Sequence, residues 1–206
     1  DRVWRRCAEV RTAGGSSAEA ARAALAEARA LHEEDLAASR AMGGHGAELV
    51  QPGGRILTHC NTGGLATGGL GTALAVAFEA ARQGKRPHVY AAETRPLLQG
   101  ARLTAWELAR EGIAVTVLVD GARAHLMATL GIDLVLVGAD RVAANGDTAN
   151  KIGTLAAAIC AQRYGVPVYV VAPGSSFDLT AADGADLPVE LRDGDEVRRC
   201  GDRLTA

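Results

Sequence analysis

The stretch Leu134-Val135-Leu136-Val137-Gly138-Ala139-Asp140 decides the fold. Its four consecutive apolar residues leave no face of a strand for solvent, which predicts a strand that is buried on both faces. Similar short apolar runs recur at residues 55–59, 88–91, 114–119 and 168–171. Strands of this kind belong to parallel sheets that are covered by helices on both sides.

Ala-rich segments with helical patterning separate these strands. They are predicted as helices over residues 67–83, 100–110, 122–130 and 148–164, and a glycine follows each of them at Gly84, Gly112, Gly131 and Gly165. Strands that alternate with helices in this order predict an α/β fold with a doubly wound, mainly parallel, Rossmann-like sheet. The segment after Pro173 lacks periodicity and is predicted to be mostly loop.

A long amphipathic helix is predicted ahead of the sheet, over residues 16–42. Ser16 followed by Glu19 is a capping-box signal for its start. Gly43 and Gly44 are predicted to end it, since paired glycines disfavour a helix interior. We therefore expect two parts: a helical lead-in over residues 1–50 and a Rossmann-like catalytic domain over residues 51–206.

The composition excludes several classes of partner. The 22 basic and 24 acidic residues are spread along the chain, so no basic surface for nucleic acid or an anionic membrane is predicted. The sequence contains neither a bilayer-spanning apolar run nor a signal-peptide core, which favours a cytoplasmic protein with a small-molecule partner. Four widely spaced cysteines favour free thiols. The chain opens without Met in a helical segment, and we expect a piece of a longer protein.

Polar residues follow the predicted strands at the points where they end. In a parallel sheet the carboxyl ends of the strands share one edge, where ligands bind. Cys60 follows the first strand, Glu93 and Arg95 the second, Asp120 the third and Asp140 the fourth. This clustering predicts a polar site at that edge.

Cys60 and Asp140 are the candidate reactive groups. Cys60 precedes a glycine-rich turn, where backbone N–H groups would favour its thiolate, although a small buried hydrophobic residue is the alternative. Asp140 ends an apolar strand, where a carboxylate needs a partner or a chemical task. The alternatives for Asp140 are a helix cap and a partner for Arg141.

Two segments suggest phosphate binding. The run from Gly63 to Thr72 is rich in glycine, but it matches neither a dinucleotide fingerprint nor a P-loop, so no nucleotide cofactor is predicted. Asp147 or Thr148 is predicted to cap the next helix, which would place Asn150 and Lys151 in its first turn. A lysine there opposes the helix dipole unless a phosphate lies beside it; a solvated lysine is the alternative. The remaining histidines lack metal-ligand spacing, and no metal is predicted.

With these residues in view, the chain resembles the methylthioribose-1-phosphate isomerase family, which is related to ribose-1,5-bisphosphate isomerases and to the regulatory subunits of translation initiation factor 2B. The blocks that carry the resemblance are Ile56-Leu57-Thr58-His59-Cys60-Asn61, Ala92-Glu93-Thr94-Arg95-Pro96, Gln99-Gly100-Ala101-Arg102-Leu103-Thr104-Ala105-Trp106-Glu107-Leu108, Val137-Gly138-Ala139-Asp140-Arg141 and Ala144-Asn145-Gly146-Asp147 with Asn150-Lys151-Ile152-Gly153-Thr154.

The resemblance implies residue roles and an activity. It implies a catalytic pair of Cys60 and Asp140 and substrate contacts from Gln99, Asn150 and Lys151. The implied reaction converts 5-methylthioribose 1-phosphate to 5-methylthioribulose 1-phosphate, a step of methionine salvage, in a homodimer without a cofactor. The alternatives are a ribose-1,5-bisphosphate isomerase and a non-catalytic factor-2B-like subunit, which generally lacks this Cys and Asp combination. Members of this family carry an N-terminal helical domain with an Arg-Gly-Ala phosphate loop, which the printed sequence does not include. We expect either that the full protein is longer or that it lacks this part of the phosphate clamp.

Overall fold

A computed structural model describes residues 1–200 and 203–204 of the chain. The chain divides into two compact units, Asp1–Ala38 and Ser39–Ala206. Helix α1 (Arg2–Thr12) lies in the first unit, and helix α2 spans Ser17–Ala47. No helix among the described residues is long and apolar enough to cross a membrane.

The predicted start of the long helix is confirmed, and its predicted end is wrong. The Ser16 N–H donates to Glu19 Oε2 at 2.8 Å, and the Glu19 N–H donates to Ser16 Oγ at 3.2 Å, which is a capping box. The helix then continues through Gly43 to Ala47. A Cβ on Gly43 would lie 2.9 Å from the Ala75 carbonyl oxygen, so glycine is kept there for close packing.

The second unit contains the predicted sheet. Its strands are β1 (Arg55–Thr58), β2 (His88–Ala92), β3 (Ala114–Leu118), β4 (Leu134–Val137), β5 (Arg141–Ala143), β6 (Thr148–Ala149), β7 (Val168–Val170), β8 (Phe177–Asp178), β9 (Arg199–Cys200) and β10 (Arg203–Leu204). Its further helices are α3 (Ala73–Arg82), α4 (Ala105–Arg110), α5 (Arg123–Thr129), α6 (Thr154–Tyr164) and α7 (Asp195–Arg198). Short 3₁₀ turns lie at Gly64–Ala66, Asp120–Ala122, Gly174–Ser176 and Gly184–Asp186, and a π-helical turn at Gly100–Thr104 precedes α4.

The doubly wound parallel fold is confirmed. Five strands pair in parallel in the order β3-β2-β1-β4-β7. One face of the sheet, through Ile56 and Leu136, packs on α3 and α4. The opposite face, through Leu57 and Val135, packs on α5 and α6. The strand order reverses between β1 and β4, where a crevice opens at the carboxyl ends of the strands.

The connection between β4 and α6 differs from the prediction. Strands β5 and β6 form an antiparallel hairpin around the predicted Asn145-Gly146 turn, and β8 pairs in parallel with β5. Helix α6 therefore begins at Thr154, not at 148, and neither Asp147 nor Thr148 caps it. The Asp147 carboxylate instead accepts hydrogen bonds from Asn145 Nδ2 and the Gly184 N–H. The tail after Pro173, predicted to be mostly loop, supplies β8 to this small sheet.

Two further helices begin differently from the prediction. Helix α3 starts at Ala73, not at 67, because the glycines before it form an extended turn in which the Thr72 N–H donates to the Thr62 carbonyl at 2.7 Å. The helix predicted from Gly100 opens as a π-helical turn before α4. Gly100 is pressed against the Ala92 carbonyl at the end of β2, and this contact leaves no room for a side chain.

Candidate active site

Cys60 lies at the carboxyl end of β1 in a constrained conformation. Its φ of 67° falls in the left-handed region, which is uncommon for a residue with a side chain. The Cys60 N–H donates to Thr94 Oγ1 at 2.8 Å, and the Cys60 carbonyl accepts from Thr104 Oγ1 at 2.7 Å. Thr94 also has a positive φ, 65°, and is fully buried. Backbone outliers that are held from both sides in this way cluster at functional sites.

The charges of the predicted site residues shift the pKa of the half-buried Cys60 thiol. Burial raises the pKa of the thiol above its ordinary value, and the carboxylate of Asp140 raises it further. The Asn61 backbone N–H and the Lys151 ammonium act in the opposite direction and lower this pKa. The charges of Asp140 and Lys151 therefore both act on the Cys60 thiol, and the joint role of these three residues stays a prediction.

Asp140 follows β4 on the other side of the strand-order reversal. Its backbone N–H donates to the Ala149 carbonyl at 2.9 Å, which joins the end of β4 to β6. The side chain is exposed, so burial does not oblige its carboxylate to have a partner, and its chemical task stays a prediction. The apolar burial of the strand stops at Gly138, two residues earlier.

A cavity of about 550 Å³ opens beside Asp140. Its polar wall includes Asp140, Asn150 and Lys151, which the family resemblance implies to share one site. The rest of its lining comes from the loop after β2, the β4–α6 connection and the tail segment: Pro96, Leu97, Arg141, Ala149, Ile152, Pro188, Val189, Glu190, Leu191, Arg192, Asp193, Gly194, Glu196 and Val197. Cys60 does not line this cavity directly. It lies within electrostatic reach of two side chains that do.

Asn150 and Lys151 lie before α6 rather than in its first turn. The Asn150 amide donates to Thr154 Oγ1 at 3.1 Å, and the Thr154 hydroxyl donates to the Lys151 carbonyl at 2.7 Å. The helix-dipole argument for a phosphate beside Lys151 is therefore wrong. Within the described residues the Lys151 ammonium makes no hydrogen bond and no ion pair at contact distance, although its charge lowers the pKa of Glu196, which lines the same cavity.

The structure does not bring Gln99 into this cavity. Gln99 is half-buried in the turn that leads into the π-helical segment. Its Oε1 atom is buried and has no hydrogen-bond partner among the described residues. A buried polar atom without a hydrogen-bond partner is energetically costly. The role of Gln99 as a substrate contact stays a prediction.

A buried polar network behind Cys60 was not predicted. His59 and Arg123 are only 1% and 4% exposed. Arg123 Nη2 donates to Asp120 Oδ1 at 2.6 Å and to His59 Nδ1 at 3.1 Å. Asp120 also accepts the Thr94 and Arg95 N–H groups, so one carboxylate ties the end of β2 to α5. The three-residue spacing of Asp120 and Arg123 is the one signal in the sequence that could have indicated this pair.

The protonation of His59 follows from its partners. His59 Nε2 lies 2.7 Å from the Ile152 carbonyl, which can only accept, so we place the proton on Nε2 and leave Nδ1 to accept from Arg123. Burial lowers the pKa of His59, and the charge of Arg123 lowers it further. The neutral ring is thus the stable form.

A second buried group, Glu107, holds the glycine-rich turn. Its carboxylate accepts from Asn61 Nδ2 at 2.8 Å and from the Gly64 N–H at 2.7 Å. The Gly63 backbone packs so closely on this carboxylate that a Cβ would overlap it. A buried carboxylate is a poor neighbour for a phosphate. The proposed phosphate site in the Gly63–Thr72 run therefore finds no support in this geometry.

No group of three His, Cys, Asp or Glu side chains within the described ranges is arranged to hold a metal ion. The cysteines Cys7, Cys60 and Cys160 are free thiols.

Comparison with known proteins agrees with the resemblance in the sequence. The chain is 55% identical over 182 residues to a protein from Heliobacterium modesticaldum named methylthioribose-1-phosphate isomerase, and the match covers 88% of this chain and 53% of that protein. The chain spans about half the length of the curated relatives that it matches.

Two crystal structures share the fold. The 5-methylthioribose 1-phosphate isomerase of Pyrococcus horikoshii superimposes with a TM-score of 0.91 at 42% identity, over 100% of this chain and 57% of that chain. The translation initiation factor eIF-2B, subunit delta, from A. fulgidus superimposes with a TM-score of 0.89, also at 42% identity, over 98% of this chain and 59% of that chain. The initiation factor 2 subunit family matches residues 2–206, and the chain belongs to this family.

Proposed function

We propose that this chain carries the catalytic site of an aldose–ketose isomerase that converts 5-methylthioribose 1-phosphate to 5-methylthioribulose 1-phosphate, a step of methionine salvage. The observation that carries the proposal is the convergence of Cys60, Asp140 and Lys151 at the reversal of strand order. A carboxyl group and an ammonium on one cavity wall, with a thiol within electrostatic reach of both, match a reaction that moves hydrogen between two carbons of a phosphorylated sugar.

In this proposal Lys151 holds the phosphate, and Cys60 and Asp140 act on the sugar. Lys151 contacts the 1-phosphate, since its ammonium makes no hydrogen bond and no ion pair at contact distance in the described part of the chain. Asn150 contacts the sugar from the same wall, and Gln99 supplies a further polar contact from the turn after β2. Asp140 protonates the ring oxygen, which is needed because the phosphate at C1 prevents simple ring opening.

Cys60 can serve the transfer of hydrogen from C2 to C1 in two ways. As a thiolate it would take the C2 proton, and the sugar would pass through an enediolate-like intermediate. In a direct hydride shift the C2 hydrogen would move to C1 with its electron pair, and the O2 hydroxyl proton would pass to the Asp140 carboxylate left by ring opening. Cys60 would then only shape the polarity around C1 and C2. Because burial raises the pKa of the thiol, the thiolate is scarce near neutral pH, which weighs toward the hydride shift.

Turnover of substrate deuterated at C2 distinguishes the two routes. The hydride shift predicts that all of the deuterium is retained at C1 of the product, as read by nuclear magnetic resonance. Release of the deuterium into solvent would contradict it and support proton abstraction by the thiolate.

The cavity favours a substrate with one phosphate. A ribose 1,5-bisphosphate would need a second cation for its 5-phosphate. Arg192 is paired with Glu190 and Glu196, and Arg141, which also lines the cavity, donates to the Asp140 carbonyl. Leu97, Ile152 and several tail residues instead offer an apolar wall that suits a methylthio group.

A non-catalytic subunit of the factor-2B type is the second candidate. It is supported by the similarity to the A. fulgidus protein, and the Cys60 and Asp140 combination weighs against it. The protein that carries this chain should be assayed with methylthioribose 1-phosphate and ribose 1,5-bisphosphate side by side. Turnover of the first alone is expected; turnover of the second alone, or of neither, would overturn the proposal.

Three related expectations also stay proposals: the division at residue 50 between a helical lead-in and a catalytic domain, a homodimer, and a cytoplasmic location. The free thiols of Cys7, Cys60 and Cys160 support the cytoplasmic location, because cysteines in oxidising compartments tend to be paired in disulfides.

A further inference from the structure

The loop that carries Lys151 is held from behind by the buried network of His59, Asp120 and Arg123. His59 Nε2–H donates to the Ile152 carbonyl at 2.7 Å. Arg123 Nη1 donates to the Gly153 carbonyl at 3.2 Å. These two carbonyls belong to the residues directly after Lys151, so His59 and Arg123 both hydrogen-bond to the backbone next to the lysine.

The loop and the imidazole ring are in close contact. Gly153 has a φ of 100°, and a Cβ at this position would lie 2.8 Å from the His59 ring. A residue other than glycine would push the loop off the ring. The separation between β1, which ends in His59 and Cys60, and the loop of Lys151 is therefore set by this contact.

The lysine side chain itself contributes little to its own placement. Its ammonium makes no hydrogen bond and no ion pair at contact distance among residues 1–200 and 203–204, and it acts on Glu196 only through space, so the backbone chiefly fixes where it lies. Its charge nevertheless reaches the Cys60 thiol. A shift of the loop would move this charge away from the thiol and away from the cavity wall.

We propose that His59 is a positioning residue, which holds Lys151 at the cavity wall beside Cys60 through the Ile152 carbonyl. Asp120 and Arg123 support it by keeping the ring in its Nε2–H form. The inference rests on the proposed function for the roles of Cys60 and Lys151. The alternative is that His59 is only a well-packed core residue, so that its substitution would change the free energy of unfolding and nothing else.

Two amide substitutions separate the two nitrogens of the ring. The amide nitrogen of His59→Gln replaces Nε2 and can still donate to the Ile152 carbonyl. The amide of His59→Asn replaces Nδ1 and is too short to reach that carbonyl. The proposal predicts that the Gln variant keeps Lys151 in place and that the Asn variant releases it.

The readout is the pH profile of Cys60 alkylation by iodoacetamide in the protein that carries this chain. The tryptic peptide 56–82 contains Cys60 and no other cysteine, so mass spectrometry reports on this thiol alone. Lys151 and Asp140 are the charged side chains that act on it. With Lys151 released, the midpoint should move to higher pH in His59→Asn, and alkylation at pH 8 should slow by about 3- to 10-fold. The alkylation profile of His59→Gln should match that of the wild type.

His125→Asn is the matched control, because His125 lies exposed on α5 and its substitution should leave the profile unchanged. Equal profiles for the wild type and His59→Asn, or equal shifts in both His59 variants, would overturn the proposal. If His59→Asn does not fold, Arg123→Lys decides the matter. It keeps the charge beside Asp120 but cannot span the contacts of the guanidinium, so an upward shift is expected and an unchanged profile refutes the idea.

The substrate gives a second readout. His59→Asn should raise the KM for methylthioribose 1-phosphate by about 10-fold or more while His59→Gln does not, since small displacements of a binding group are costly. The alkylation profile requires no turnover. A shifted profile in a protein that turns over neither sugar phosphate would therefore reject the proposed function and leave the positioning role standing.

Discussion

Replacing Lys151 by Gln tests the phosphate contact. The side chain is half-buried, lines the cavity and makes no ion pair at contact distance in the described part of the chain, so its removal breaks no direct contact within the protein and removes only through-space effects on groups such as Glu196. Any loss of affinity then comes from the missing contact with the ligand. A hydrogen bond to a charged group contributes about 1.5–3 kcal/mol. At about 1.4 kcal/mol per tenfold, KM should rise by roughly 10- to 100-fold.

The assay is steady-state conversion of methylthioribose 1-phosphate, with competition by inorganic phosphate as a second measure of the site. Lys151→Arg keeps the charge and should recover most of the affinity. The free energy of unfolding should barely change in either variant. A Lys151→Gln protein with wild-type KM and unaltered competition by phosphate would refute the placement of the phosphate.

Three further predictions concern the scaffold of the site. Gly46→Ala should destabilise the protein by about 1–3 kcal/mol in urea unfolding, because its Cβ would overlap a valine of α3; Gly44→Ala, with open space around it, should be neutral or stabilising, and equal effects would contradict the packing argument. Glu107→Gln leaves one of two buried N–H groups without an acceptor and should cost about 1–3 kcal/mol, whereas Glu111→Gln on the exposed end of α4 should cost almost nothing. Burial lowers the pKa of His59 in the folded protein, so between its ordinary value of 6.5 and the folded pKa the unfolded chain binds more protons, and the free energy of unfolding should fall as the pH drops from about 6.5 toward the folded pKa and level off below it. A His59→Gln variant with an identical decline over this range would contradict this source.

The sheet was predictable because burial on both faces leaves a clear pattern. Leu134 to Val137 are all buried, as the apolar run indicated. Once the strands are parallel, their carboxyl ends must meet at one edge, so the approach of Cys60 and Asp140 follows from topology alone. The packing of individual side chains was not needed for that inference.

The predicted helix boundaries were wrong where one sequence signal is compatible with two structures. A glycine ends many helices, but Gly43 serves a close approach to α3 instead. An Asn-Gly turn followed by polar residues resembles a helix start, yet Asn145 and Gly146 close a hairpin whose second strand ends at Ala149. Local sequence does not distinguish these outcomes, because the deciding contacts come from segments distant in the chain.

The buried network of His59, Asp120 and Arg123 could not be predicted from the sequence for a related reason. Arg123 looks like a surface residue of an amphipathic helix, and its burial depends on Asp120, His59 and the Gly153 carbonyl at once. Likewise, the exposure of Asp140 could not be predicted from its apolar neighbours. Pairing of charged groups across a fold carries no periodic signature in sequence.

The central claim is that Cys60 and Asp140 act together on one sugar phosphate, and turnover by Asp140→Asn tests it most directly. Conversion of methylthioribose 1-phosphate should be followed by nuclear magnetic resonance at saturating substrate, with Glu111→Gln as the control on the same scaffold. General acid catalysis is worth about 10² to 10⁴ in rate. The account predicts a kcat lower by a factor in that range with an unchanged unfolding transition, and an Asp140→Asn protein with undiminished kcat would contradict it.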